Sequence, residues 1–460
     1  VNDDATEFDQ YLPKPGIPSI VMYENMVYAT WIDSRAGGTT GSNRDIYFAK
    51  GTMDATGKIT FSQNIKINDT QQTSAATWVG APAMALSQDG AIFIVWSDNR
   101  LDDDGGEGMS IFLARSLDGG ETFLANQWID DLPAQESYRH RRSPRIAAGD
   151  GYVYITFGKG AHASLEMAVS DDNGATFSTP REILPVPADT SVMAAQGSSL
   201  YIAHIASESQ GSGLPPKYEV ILHASHDNGQ NFGPAIKIND DRPEDPALEK
   251  NKDDLSMAAS GENVYLAWRD DRNALTGAGG QYVYGAVSHD RGAGFGANII
   301  LGPGDPARIS GTSDDNRWAP SVSAHGDNVA VSFHGKVNGF QSVLARISTD
   351  RGLTWSHEMP ASQNLSRPDI GPSSTAVGSS GVSVMWEADG RYAGHPGTGD
   401  NIYASGFIFD GQSPSCPQGI SEFNSATSTL KLPSICIDGV YFEGNIELIL
   451  DFNTMKFRLK

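Results

Sequence analysis

Cysteine is nearly missing from this chain: of 460 residues only Cys416 and Cys436 carry a thiol, both within the last 45. That excludes a disulfide-built body and leaves no Cys/His spacing of the metal-site type. The two thiols suit one local disulfide in an exported protein. Long apolar runs are missing too. None approaches the roughly 18 residues a membrane-crossing helix needs, so no membrane span is expected. Basic residues are scarce, 33 Lys and Arg against 56 Asp and Glu, a formal net charge of −23. Such a surface repels phosphate backbones and anionic lipids, which excludes nucleic acid and an anionic membrane as main partners. The chain begins VNDDATEFDQ, with neither an initiator methionine nor a basic, apolar leader. It reads as the processed end of a protein secreted from, or held at the surface of, a bacterial cell.

What the chain has in quantity is glycine, 50 residues, and an eight-residue phrase in five copies. They are SLDGGETF (116–123), SDDNGATF (170–177), SHDNGQNF (225–232), SHDRGAGF (288–295) and STDRGLTW (348–355), starting 54, 55, 63 and 60 residues apart. A constant period of that length calls for a repeat architecture. The frame Ser-x-Asp-x-Gly-x-Thr-aromatic suits a tight hairpin. The Asp carboxylate accepts backbone N–H bonds within the turn, and Gly takes the positive-φ position. The closing aromatic packs back on the sheet. The phrase resembles the Asp box, or BNR repeat, of sialidase-like β-propellers.

Around each copy the chain repeats a longer unit. A second strand, usually ending in Trp, occurs seven times: VYATW (27–31), IFIVW (92–96), VYITF (153–157), LYIAH (200–204), VYLAW (264–268), VAVSF (329–333) and VSVMW (382–386). A short small-residue strand precedes each, and an alternating third strand leads into the phrase. Four strands per unit with a period of two is the pattern of a propeller blade. The expectation is an all-β, seven-bladed β-propeller over 1–411, with Asp-box turns and four-stranded blades. The first unit has a degraded phrase (51–61) and the seventh has lost it, which invites closure by the N-terminal segment at 8–12. Residues 412–460 read as a short C-terminal β-rich extension holding both cysteines.

In such a ring the repeated turns share one face, and the strand 2–3 loops and blade connections share the other. The second face collects WIDSR (31–35), WSDNR (96–100) and WRDDR (268–272), with Arg142 and Arg317 in blade connections. One reading makes Arg35, Arg100, Arg142, Arg272 and Arg317 a cationic funnel for a carboxylated sugar. The other makes each Trp-x-Asp-x-Arg an internal pair, and repetition favours it, because a site is needed once. The sialidase resemblance implies three arginines on a ligand carboxylate, a Tyr nucleophile primed by Glu, and an Asp acid/base. Departures are plain: the early Arg-Ile-Pro motif is missing, the nearest text being Pro144-Arg145-Ile146, and sialidases have six blades. His140 and His162, with Arg142 and Lys159, give candidate catalytic groups for a uronate lyase, a chemistry also found on seven-bladed propellers. His334 lies in blade 6. His204 stands where other blades have Trp and reads as a satisfied core histidine. Asp102, Asp103, Asp104 and Glu107 in LDDDGGEG (101–108) offer hard oxygen ligands for calcium, and NDDRPED (239–245) is a second choice. The leading expectation is an exported, non-catalytic binding or scaffold protein with a carbohydrate or protein partner at the propeller face, assembling through its C-terminal extension. The alternative is a glycan-active enzyme, a sialidase-like hydrolase or a uronate lyase.

Overall fold

The structure is a computed structural model, and it describes residues 18–33, 44–69, 78–101, 108–130, 141–159, 164–208, 216–240, 252–272, 281–302, 318–337, 340–362, 370–389, 400–409, 422–424, 429–437, 440–451 and 456–459. The chain is all-β and divides into two compact units, Val1–Phe407 and Ile408–Lys460. The first is a seven-bladed propeller of antiparallel, sequentially paired strands. All seven expected second strands are present, as Met26–Asp33, Ile92–Asp98, Tyr152–Lys159, Ser199–Glu208, Asn263–Asp270, Asn328–Val337 and Gly381–Asp389. Blades 2 to 6 have four strands each. The outer position of blade 1 is shared by Ile59–Phe61 and Ile65–Lys66, and blade 7 has three described strands. The second unit is a separate antiparallel sheet of Glu422–Asn424, Thr429–Ile437, Val440–Asp451 and Lys456–Leu459.

Second strands read as continuous apolar runs rather than as alternations because blades stack on both sides of them. Every residue of Ile92–Asp98 is buried, as expected of a strand covered on both faces. The inner strands are built from small residues, and their serines tie neighbouring blades. The backbone N–H of Met84 donates to Ser19 Oγ at 3.1 Å, that of Val322 to Ser256 Oγ at 3.0 Å and that of Thr375 to Ser321 Oγ at 2.9 Å. Four inner strands carry a bulge at their start, between Arg142 and Arg145, Asp253 and Ser256, Trp318 and Ser321, and Ile370 and Ser373.

The repeated phrase forms the same turn five times. In blade 3, Ser170 Oγ donates to Asp172 Oδ1 at 2.7 Å and accepts from the Gly174 N–H at 2.8 Å. Asp172 also receives the Thr176 N–H at 2.8 Å and the Thr176 hydroxyl at 2.7 Å. These bonds hold the Asp172 carboxyl down at about 2, although it lies in solvent. The turn does more than close a hairpin, because it reaches the preceding blade. A Cβ on Gly174 (φ +74°) would stand 2.6 Å from Phe93 of blade 2, and one on Gly120 (φ +86°) 2.7 Å from Phe48 of blade 1. The closing aromatic follows, Phe123 meeting Phe48 edge-on at 5.0 Å. The worn copy in blade 1 acts alike on blade 7, its Gly57 lying against the backbone of Gly406. Ser380 Oγ donates to Glu24 O at 2.8 Å, and Ile20, Met22 and Ala29 share a core with Ala376, Met385 and Ile402. Blade 7 thus closes on blade 1. The closing segment expected at 8–12 lies outside the described residues.

Two glycines separate backbone strain from blade packing. Gly90 (φ +82°) has nothing within 4 Å of a built Cβ, so Gly90→Ala should cost only the left-handed penalty of about 1–2 kcal/mol. Gly174→Ala adds the clash with Phe93 and should cost about 1–3 kcal/mol more in denaturant unfolding. Equal losses would show that the turn does not bear on the neighbouring blade.

Candidate functional site

At the face opposite the turns, the Trp-x-Asp-x-Arg phrase forms a brace. Trp96 Nε1 donates to Asp98 Oδ2 at 2.9 Å, and Arg100 grips the same carboxylate through Nε at 2.9 Å and Nη2 at 2.6 Å. Arg100 Nη1 then reaches Asp69 of the preceding blade, while the guanidinium lies 4.0 Å from the Phe112 ring centroid. Blade 5 repeats this. Trp268 donates to Asp270 at 3.0 Å, and Arg272 pairs with Asp270 at 2.7 Å and with Asp240 of blade 4 at 2.8 Å. Asn126 and Asn298 finish the two clasps, with side-chain amides on Ile67 O and Ile238 O at 3.1 and 3.0 Å. Blade 1 keeps the first part, Trp31 Nε1 to Asp33 Oδ2 at 3.2 Å. Arg100 and Arg272 therefore have their donors on carboxylates, each spanning two blades, and the shared funnel loses both. Arg35 and Arg317 lie outside the described residues. Buried cations at inner-strand starts behave likewise: Arg141 lies 3.2 Å from Glu166, and Lys252 lies 3.8 Å from Asp270.

Blade 4 breaks the pattern. Where Trp31, Trp96, Trp268 and Trp386 fill the end of the second strand, and Phe157 and Phe333 do so in blades 3 and 6, His204 stands, and Ala206 takes the place that Asp33, Asp98 and Asp270 hold after the first three tryptophans. His204 helps line a cavity of about 860 Å³ at the strand ends of blades 3 to 5. One wall is the 3-10 turn Ala188–Thr190, which leads into the blade 4 inner strand. Its charged and aromatic polar groups are Arg145, Asp189, His204, Tyr218, Lys252, Asp253 and Asp254, with the hydroxyls of Thr190, Ser191 and Ser207 beside them.

Arg145 is the outlier of its ring. Its inner-strand position pairs with the residue just before the Trp position, and the other six blades place Ser19, Ala83, Val192, Ser256, Ser321 and Ser374 there. Protein surrounds most of the side chain, which remains partly accessible through the cavity. Burial lowers its pKa, opposed by Asp189, yet a guanidinium stays charged at any working pH. Its one hydrogen bond among the described residues is from Nη1 to Pro144 O, at 3.2 Å. His204 stacks on His223 with centroids 5.6 Å apart and planes 11° apart. Burial, then His223, pushes its pKa down to about 4, a backbone bond at Ile205 acting the other way. The imidazole is neutral near pH 7, and its buried Nδ1 has no hydrogen-bond partner among the described residues. The expectation of a satisfied core histidine fails at that atom. Asp254 sits in the left-handed region (φ 51°), accepts the Ala319 N–H at 3.2 Å and lies 3.5 Å from Arg269 Nε. Burial raises its pKa. A guanidinium fork, a neutral imidazole and a phenol in one cavity can hold an anion and exchange a proton.

Other residues named from sequence go elsewhere. Arg142 is the second residue of the blade 3 inner strand and is not among the described lining residues of the cavity. Lys159 pairs with Glu166 at 3.6 Å. His334 is buried in blade 6, with its pKa pushed down to about 4 by burial. His140, His162, Asp102, Asp103, Asp104, Glu107 and Cys416 lie outside the described residues. Cys436 belongs to the strand Thr429–Ile437 of the second unit. Of the second calcium candidate, Asp240 is engaged by Arg272. No group of three or more metal-type side chains converges among the described residues. Sequence reading missed Tyr218 and Asp254 and treated Arg145 only as the remnant of a missing motif.

No protein-family model matches the sequence, and no curated protein matches it. Solved structures do. The polysaccharide lyase Uly1 superposes with a TM-score of 0.50 at 11% identity, over 85% of this chain and 90% of its own. The Hadza microbial sialidase Hz136 gives 0.41 at 14%, over 79% and 73%, and the phage phi92 endosialidase 0.42 at 11%, over 92% and 71%. At such identities the likeness is one of fold.

Arg272→Met should destabilise the protein by about 3 kcal/mol, because it leaves the buried Asp270 carboxylate with the Trp268 indole N–H and a Lys252 ammonium 3.8 Å away in place of a guanidinium fork. Thermal or denaturant unfolding checks this. A cost below about 0.5 kcal/mol would mean that the clasp holds nothing.

Proposed function

We propose that this chain is an exported glycan-recognition propeller that receives an acidic sugar unit in the cavity of blades 3 to 5. The observation that carries the reading is Arg145: a partly accessible cation whose one hydrogen bond among the described residues is to a carbonyl, with Asp189 acting on it only through charge, at a position where six blades hold neutral residues. A uronate or sialate carboxylate fits such a fork bidentately. The ring hydroxyls of the sugar find Tyr218, Ser207 and the backbone of the cavity wall. In this reading the second unit attaches the propeller to its assembly.

A second reading, a uronate lyase, has its own support in the neutral His204 and the phenol of Tyr218 sharing that cavity. There the imidazole takes the proton beside the carboxylate while Arg145 stabilises the resulting charge; the electron pair then forms the ring double bond as the β glycosidic C–O bond breaks, and the Tyr218 phenol protonates the departing oxygen.

Calorimetric titration with uronate and sialyl oligosaccharides, against neutral counterparts, tests the proposal. Acidic sugars should bind and neutral ones should not. Arg145→Ser should weaken binding about 10- to 100-fold, the scale of a charge-assisted hydrogen bond, and leave the melting temperature unchanged, since other blades already carry Ser there. Equal binding of neutral sugars, or an unaffected Arg145→Ser, contradicts it. Release of an unsaturated sugar, abolished by His204→Gln, would move the protein to the lyase reading.

A further inference from the structure

The same face carries a second unusual group, between blades 1 and 2. Trp78 is 54% exposed, the one large apolar side chain so exposed at this end among the described residues. It is held rather than loose. Its N–H donates to Asn99 Oδ1 at 2.8 Å, and its carbonyl accepts the Asn99 N–H at 3.2 Å. Asn99 lies inside the Trp-x-Asp-x-Arg phrase of blade 2, so the brace that holds the ring together also fixes this tryptophan. The next residue, Val79, bridges to Asp98. The exposed indole is thus presented by buried structure.

Arg44, which precedes the third strand of blade 1, lies over that indole with Cζ 5.1 Å from the ring centroid. Its pKa is lowered by burial, with no carboxylate contributing. This is a contrast, because Arg100, Arg141, Arg269 and Arg272 at the same strand ends all lie against acids. In a chain with 56 acidic and 33 basic residues, a cation at this face on which no described acid acts is an exception, whereas Arg145 has Asp189 acting on it. Neither the Arg44 guanidinium nor the Trp78 indole N–H has a hydrogen-bond acceptor among the described residues.

We infer that Trp78 and Arg44 form a second binding site for acidic saccharide, which takes a different unit of the same polymer that enters the Arg145 cavity. The ligand class rests on the acidic-glycan reading above; the site rests on the residues themselves. An indole offers a flat apolar surface for the C–H face of a sugar and a donor at its edge. The guanidinium beside it accepts the unit's carboxylate or sulfate. Both sites lie at the strand-end face of one rigid ring, so a long chain can engage both and gain from the second contact as an intramolecular event. A short ligand can occupy only one.

Length dependence tests this. Oligogalacturonates from the disaccharide upward are titrated into the full-length protein, Trp78→Ala, Arg44→Gln and Arg145→Ser. For long oligomers, Trp78→Ala and Arg44→Gln should each weaken binding at least tenfold, while disaccharide affinity at the Arg145 cavity stays at the wild-type value. Wild-type affinity in both variants at every length overturns the second site and leaves the cavity reading standing. Failure of the unaltered protein to bind any acidic oligomer overturns both.

Discussion

A single blade of this protein could not persist in water. Its second strand is apolar on both faces, as Ile92, Phe93, Ile94, Val95 and Trp96 show, each with no accessible surface. Fully burying one such side chain is worth about 1.5–3 kcal/mol, so leaving a face uncovered would forfeit several of them at once. Every blade therefore needs a neighbour on each side, and only a closed ring supplies that without a bare end. The other repeated features follow from this constraint. Inner-strand serines hydrogen-bond the next blade's backbone, turn glycines admit the neighbour's aromatics, and arginine clasps reach back one blade. Each feature acts across a blade boundary.

A ring of equivalent units gives no unit a special task. The special positions are those where one blade departs from the others. His204 stands where four other blades hold tryptophan, and it lines a cavity. Arg145 sets a cation where the ring holds neutral residues. Arg44 is a cation on which no described acid acts, in a chain rich in acids. All three lie at the strand ends, away from the repeated turns. The features that bind the ring and those suited to bind a ligand are thus separated by whether they repeat.

Much of the architecture was legible in the residues. The Ser-x-Asp-x-Gly frame gave the turns, and seven apolar pentapeptides gave the second strands, because both patterns depend on local chemistry and strand period. The pairing of Arg100 and Arg272 with blade acids was favoured by repetition alone. The reach of the turns to the preceding blade was not legible, since it depends on how blades stack rather than on spacing within one. Arg145 was hidden for another reason. The bulge after Arg142 shifts the register, so only the strand pairing shows that Arg145 answers to Ser256 and Ser321. His204 was noticed as a replaced tryptophan. That its Nδ1 lacks a partner among the described residues, with a cavity beside it, follows from how blades 3 to 5 pack and not from the local text. Trp78 stands outside the repeated strand text, and nothing in its neighbours marks it as exposed.

The claim that function sits where the repeat fails is tested most directly by a crystal structure of the protein with a bound uronate oligosaccharide. The account predicts a sugar carboxylate on the Arg145 guanidinium, within the cavity beside His204 and Tyr218, and the Arg100 and Arg272 clasps unchanged. A ligand seated on Arg100 or Arg272, with those clasps opened to receive it, would contradict the account.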